Sequence, residues 1–276
     1  YYLKKTSNFE VSNNAKNLSE LFWNQFFKNK QNSHFIDFYL LLQFFKKKNK
    51  VDFIYSTKDY IDSEVAKKHP PYPTFVKSRP INTENQNSIL LKLNQVKLFH
   101  FINDSKEFEN KKNQAVWRGD IRNNSNREYF VKNFHTSSLL DIGQTSPKQD
   151  VPWMKSFMSI NNQLDYKFIF CLEGKCISTN LYWAMSSNSV CVMPKPKFES
   201  WFMEGKLKNG VHYIEVKDDF SDAEEKIEFY KNKNDKCMDI IDNANKFVKQ
   251  FKDEKRERLI QLLVLKQYFE FTGQYE

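Results

Sequence analysis

The chain has 276 residues, with 43 Lys and Arg against 34 Asp and Glu, for a formal charge of +9. With 40% hydrophobic and 16% aromatic residues it can bury a core, which excludes a disordered chain despite a mean hydropathy of -0.71. The most apolar run, FIDFYLLLQFF at 35–45, is too short for a membrane span and is broken by Asp37 and Gln43. Four scattered cysteines exclude a disulfide scaffold, and Cys171 and Cys176 lack the second ligand pair of a zinc site. A reduced, cytosolic setting is expected, and the length suits two modest domains or one large one.

In chain order, residues 17–47 read as two helices, the second (HFIDFYLLLQFFKKKN) ending in the basic residues that suit a helix C-terminus. VDFIYS (51–56) is a short apolar run and predicts a buried strand that delivers Lys58, Asp59 and Tyr60 to its carboxyl end. The proline-rich stretch 69–80 predicts an extended loop. ILLKL and QVKLFHF are ambiguous between strand and helix. AVW (115–117) predicts a strand ending at Arg118-Gly119-Asp120, followed by a helix over 126–134 and a strand at SLLDI.

In the second half, YKFIFCLEG (166–174) predicts a strand and a glycine turn, and Ser178 is expected to cap a helix of about three turns, STNLYWAMSS. SVCVMP and VHYIEV predict two further strands. A capping box from Ser221 to Glu224 is expected to open the next helix, and two more helices follow near 235–251 and 254–271. Strands alternating with helices predict an α/β chain with a parallel sheet.

In such a sheet, ligands bind beyond the carboxyl ends of the strands. Four polar clusters fall there: Lys58-Asp59, Arg118-Gly119-Asp120, Glu173-Gly174, and Met193 to Lys197. Cations, a carboxylate and a helix start are thereby expected to converge, and helix starts attract phosphate. The chain has no G-x-G-x-x-G and no G-x-x-x-x-G-K-[ST], which argues against dinucleotide and P-loop chemistry. Residue chemistry alone thus reaches an anion-binding α/β protein with a candidate carboxylate base. Asp120 with Arg122 reads equally as a donor contact or a loop salt bridge. Trp183, Met185 and Trp201 read as core, with base stacking an alternative for Trp201. His135 and His212 read as structural.

AVWRGD, YKFIFCLEGKCISTNLYWAMSSNSVCVMPKPKFESWFMEGKL and VHYIEVKDDFSD, together with FVKSRPI (75–81), resemble glycosyltransferase family 90, in particular its bacterial lipopolysaccharide-core branch. The resemblance covers roughly residues 50–250. It implies a GT-B fold, two Rossmann-like domains facing a cleft with C-terminal helices packing back on the first. The corresponding division is an acceptor-side domain over 1–112, a nucleotide-sugar domain over 113–252 and a crossover helix over 253–276.

The resemblance further implies inverting transfer of a hexose from a UDP-sugar without a required metal or other cofactor. Asp59 inherits the role of general base from a motif that here has Lys58 in place of Arg and Ile61 in place of Pro. Donor contacts are expected at Arg118, Gly119, Asp120, Arg122, Glu173, Gly174, Ser178, Thr179, Asn180, Lys195 and Lys197, although Asn180 stands where the eukaryotic branch has Arg. Acceptor contacts are expected at Lys58, Tyr60 and Arg79.

In a single displacement a carboxylate takes the acceptor hydroxyl's proton, and cations stabilise charge on the departing diphosphate. The expected acceptor is a lipopolysaccharide inner-core sugar. Its phosphates, and a nearby anionic membrane, suit the charge of +9 and a cytoplasmic protein peripheral to the inner membrane. One alternative is a family 90 transferase with a protein or capsular acceptor. The other is a non-catalytic polyanion- or nucleic-acid-binding protein, which predicts salt-dependent DNA or RNA binding; nucleic acid is not an expected partner of the first reading.

Overall fold

The structure is a computed structural model that describes residues 2–3, 16–17, 33–45, 52–55, 73–81, 85 and 87–274. Lys58, Asp59 and Tyr60 lie outside the described residues, as do the helix expected ahead of residue 33 and part of the proline-rich stretch. The strands are β1 (Lys16–Asn17), β2 (Asp52–Tyr55), β3 (Thr74–Val76), β4 (Ser78–Pro80), β5 (Ser88–Leu90), β6 (Lys112–Asp120), β7 (Leu140–Ser146), β8 (Tyr166–Phe170), β9 (Val190–Met193), β10 (Phe198–Ser200) and β11 (Ile214–Glu215). The helices are α1 (Ser33–Leu42), α2 (Ser125–Phe134), α3 (Ile160–Gln163), α4 (Leu181–Ala184), α5 (Ala223–Tyr230), α6 (Asn234–Lys249) and α7 (Glu254–Phe271).

The chain forms two compact units. The first combines Tyr1–Leu98, Lys197–Gly205 and Asp253–Glu276; the second combines Phe99–Pro196 and Lys206–Lys252. These boundaries differ from the division at 112/113. Residues ahead of β6 join the second unit, where the Phe108 ring meets Phe168 edge-on and Lys111 bonds the Leu164 carbonyl.

The first unit contains a sheet in the order β1-β2-β3-β5, parallel apart from β1, and an antiparallel pair, β4 with β10. Phe75 on β3 packs against Phe38 of α1 and Tyr268 of α7, so the C-terminal helix belongs to this unit's core. The stretch read as an extended loop therefore holds two strands, because Pro80 occupies a strand end where its missing N–H is tolerated. QVKLFHF forms neither strand nor regular helix. Asn94 and Phe99 have φ of 62° and 56°, and left-handed residues on both sides interrupt either geometry.

The second unit is a mixed α/β fold around a five-stranded parallel sheet, β11-β9-β8-β6-β7, and is consistent with a Rossmann-like arrangement. Central β8 reads YKFIF and is buried at every position, the pattern of a parallel strand covered on both faces. One face carries the main core, where Trp117, Phe130, Phe168, Phe170 and Val192 meet Ile227, Ile240 and Ile241 from α5 and α6. Helix α6 contributes Cys237, Ile240, Ile241, Ala244 and Val248, the spacing of a single apolar stripe.

Two expected helix starts differ. The segment from Ser178 makes only one helical turn, α4, because the Ser186 and Ser187 hydroxyls bond back to the Trp183 and Ala184 carbonyls and end it. The capping box at Ser221 does not form. Asp222 occupies the cap position, and Glu224 instead accepts a 2.5 Å hydrogen bond from the Ser137 hydroxyl.

Candidate active site

The carboxyl edge of the second unit's sheet gathers the loop exits at Asp120, 171–176 and 194–196. The exits of β6 and β8 are joined by Arg127, in the first turn of α2. Its Nη1 donates to the Asp120 carbonyl at 3.1 Å, its Nε to Glu173 at 3.0 Å and its Nη2 to Leu172 at 2.6 Å. Its guanidinium also lies 5.7 Å from the centroid of the Trp117 ring. Asn124 completes the brace: its side-chain oxygen caps α2 by accepting from Arg127 N, while Nδ2 donates to the carbonyls of Glu173 and Gly174. A single half-buried cation and one helix cap thus set the shape of both loops. Burial presses the Arg127 pKa downward, and the carboxylate of Asp120 works against that.

Asp120 and Arg122 form an exposed pair, with Arg122 Nη2 2.5 Å from Asp120 Oδ2. The hydrogen bond from Arg122 lowers the Asp120 pKa. The loop salt bridge that the sequence allows is thus formed. Gly119 is needed for a packing reason: a Cβ there would stand 2.4 Å from the Trp117 ring. A Cβ on Gly174 would lie 3.1 Å from Arg127 Nη2. Ser178 donates to Asn180 Oδ1 at 2.6 Å, and Asn180 Nδ2 donates to the last carbonyl of β8, Phe170, at 2.8 Å. Thr179 and Lys195 are exposed on this edge. Lys197 is exposed too, but belongs to the first unit, where its carbonyl accepts from Ile81 N.

Arg118 is not gathered with these groups. It leaves β6 on the face opposite Trp117, and its guanidinium turns onto β7: Nη2 meets Asp141 Oδ1 at 2.7 Å and Nη1 meets the Asp141 carbonyl at 2.6 Å. Its buried Nε has no hydrogen-bond partner among the described residues. Asp141 also accepts from Lys155 Nζ at 2.6 Å and from the Tyr166 hydroxyl. Burial works to raise the Asp141 carboxyl, but these three donors outweigh it and hold it well below the usual carboxylate range. The Tyr166 hydroxyl is pushed up to about 12 by burial and by this carboxylate, so it stays a proton donor.

Arg79 is likewise enclosed, at 2% exposure, between β4 and β10. Trp201 is fully buried, stacked on Tyr2 at 3.8 Å, with Nε1 donating to Glu257 at 2.6 Å, which excludes the stacking role for a base in this arrangement. His212 accepts from Lys208 N, and His135 packs on Trp153, as structural residues do. Among the described residues no three His, Cys, Asp or Glu side chains come together to hold a metal ion, and no helix is long and apolar enough to cross a membrane.

Comparison with known proteins decides the family. The model of glycosyl transferase family 90 matches residues 82–271, more than half of the chain. The chain belongs to glycosyl transferase family 90. This family 90 chain is also 44% identical over 201 residues to the O-glucosyltransferase LpsA of Dichelobacter nodosus, covering 72% of the chain and 63% of that protein. It therefore spans less than two thirds of that relative's length. Uncharacterized protein 179R of Invertebrate iridescent virus 6 is 31% identical over 96 residues, 32% of this chain and 8% of its own. Uncharacterized protein 035R of Invertebrate iridescent virus 3 is 29% identical over 100 residues, 36% of this chain and 9% of its own. The family match starts after Asp59 and Arg79 and includes Arg118, Arg127 and Asp141.

The brace itself escaped the sequence reading. Asn124 and Arg127 stand three apart at a helix start, a capping spacing that was readable, but nothing in the sequence says that the Arg side chain would reach three carbonyls at the exits of two strands.

Proposed function

We propose that this chain transfers a hexose from a UDP-sugar to a hydroxyl of a lipopolysaccharide inner-core sugar by single displacement. The observation that carries the reading is the 44% identity to a relative named O-glucosyltransferase, which makes glucose the first sugar to test. GT-B organisation, cytoplasmic location and peripheral contact with an anionic membrane belong to the same proposal.

In this reading Asp59 takes the proton from the attacking hydroxyl, with Lys58 and Tyr60 on the acceptor side. The diphosphate is received at the carboxyl edge of the second unit, by the loop N–H groups at Gly119 and Ser178 to Asn180 and by the Arg122 and Lys195 side chains. Asp120 orients Arg122, and Glu173 faces the ribose. Arg118 reaches the donor by exchanging its Asp141 partner for a phosphate oxygen, an exchange of one charge-assisted bond for another. The chain's own cations then serve the leaving group, so that no metal is required.

The test is calorimetry of UDP, GDP, CMP, UDP-glucose and UDP-galactose in EDTA, on the wild type and Arg118→Ala. Selective UDP binding, weakened at least tenfold in the variant, is expected. A folded protein that responds to no nucleotide would sink the reading.

A further inference from the structure

The opposite, amino edge of the second unit's sheet holds a separate open cavity of about 750 Å³. Lys167, Lys231, Lys233 and Lys236 line it, with Asn113, Asn232 and Asn234 between them and a single acid, Asp235. Lys167 and Asn113 are the second residues of β8 and β6, and Asn234 to Lys236 form the first turn of α6.

The decisive group is Lys167. It is 4% exposed, yet its ammonium has only Asn234 Oδ1 at 3.3 Å and the face of the Phe108 ring, 4.9 Å from the centroid. No carboxylate pairs with it among the described residues. Other lysines buried to the same degree are treated differently. Lys111, 5% exposed, satisfies all three donors on Asp104, the Leu164 carbonyl and Ser189, and Lys92 pairs with Glu257. A buried ammonium is costly unless a counter-charge and further hydrogen bonds offset its lost hydration. Lys167 has two donors left over and a cavity in front of them.

The neighbours reinforce one sign. Lys233 and Lys236 hold their ammoniums 5.9 and 5.3 Å from the Phe229 ring centroid, without an acidic partner among the described residues, and Phe229 is 47% exposed. Lys231 alone is paired, with Glu228. The unbonded N–H groups of the α6 first turn add a further positive contribution. With Lys231 neutralised by Glu228, three ammoniums against the Asp235 carboxylate match a compact ligand of two or more negative charges. We propose that this cavity is a phosphoryl-binding site, separate from the donor edge, that takes a phosphate ester or diphosphate on Lys167, Lys233 and Lys236.

The experiment is a titration of the full chain with inorganic pyrophosphate, glycerol phosphate and acetate at fixed ionic strength, followed through backbone amide resonances. Pyrophosphate is expected to shift Lys167 and Asn234 to Cys237 saturably, with acetate inactive at the same concentration. Lys167→Met is expected to weaken that binding at least tenfold, and the exposed Lys236→Gln severalfold if methionine at 167 does not fold. Absent shifts at these amides, an equal response to acetate, or shifts unchanged in both variants would overturn the proposal. Arg118→Ala is expected to leave these amides responsive, so failure of the donor reading and failure of this one are told apart. Sedimentation with phosphatidylglycerol vesicles assigns the source: binding lost in Lys236→Gln means a lipid headgroup, whereas pyrophosphate and glycerol phosphate binding without vesicle binding means a soluble ester.

Discussion

Arg79 and Glu199 face each other in the register of β4 and β10, and their side chains meet at 2.8 Å with 1% and 7% exposure. Arg79 Nη1 also donates to the Ser88 carbonyl at 2.7 Å, tying the pair to β5. A side chain expected to face an acceptor is thus enclosed between strands. Leaving one buried charge alone costs roughly 3–5 kcal/mol. Glu199→Ala is therefore expected to lower the urea midpoint sharply, and Arg79→Lys to lower it as well, because an ammonium cannot reproduce the fork. A change below about 1 kcal/mol in both would show that the pair contributes little.

Arg127→Ala removes three hydrogen bonds from one guanidinium to the exits of β6 and β8. Each charge-assisted bond contributes about 1.5–3 kcal/mol when its partner is left unsatisfied, but the freed loop carbonyls can reach water. A net loss of roughly 2–3 kcal/mol is expected, with nucleotide affinity falling by more than the stability change alone would cause. Arg127→Lys should rescue neither. Paired unfolding and calorimetric measurements separate the two effects.

Gly119→Ala tests packing against ligand contact. Its Cβ would overlap the Trp117 ring, which sits in the core and cannot swing aside. Overpacking of this kind costs about 1–3 kcal/mol, so a lower thermal midpoint is expected even without any nucleotide present. An unchanged midpoint would mean that β6 yields at its end.

The depressed carboxyl of Asp141 gives a pH signature. Its proton affinity is lower in the folded chain than in the unfolded one, whose carboxylates titrate near about 4. Its contribution is therefore complete above that value and is lost as pH falls toward the folded pKa. Asp141→Asn is expected to be less stable at neutral pH, since Lys155 and Arg118 lose their counter-charge, and to show a flatter decline between about pH 4 and pH 2. Urea midpoints across that range check it; parallel curves for the two proteins would refute it.

If Asp59 is the base, Asp59→Asn should retain UDP affinity within about twofold while transfer falls by roughly 10²–10⁴. Steady-state turnover with calorimetry on the same preparation checks both halves. Loss of nucleotide binding in step with turnover would move Asp59 out of that role.

The legible parts of the fold were those written in local pattern. YKFIF and the spacing of Cys237, Ile240, Ile241, Ala244 and Val248 announce a buried strand and an amphipathic helix, and both are present. The short helix at Leu181 was overestimated because apolar content and a leading serine imitate a long capped helix, while the two serines that end it act through side-chain bonds. Pairings across distance were invisible: nothing near Arg118 points to Asp141, and nothing near Trp201 points to Glu257. The carboxyl-edge clusters at Asp120 and Glu173 were legible because strand ends and polar residues coincide in the sequence. That Arg127 would brace them was decided by side-chain packing.

The division of the chain among its compact units has a consequence for truncation. The second unit draws on no residue beyond 252, whereas the first includes Asp253–Glu276. Without that segment Phe75 lacks Tyr268, Lys92 N lacks Gln261, and Trp201 lacks Glu257. A chain cut after residue 252 therefore keeps every segment of the second unit and leaves the first with the apolar side chains of β3 uncovered. Loss of α7 would thus damage the unit that holds residues 1–98 and leave intact the one that immediately precedes it in sequence.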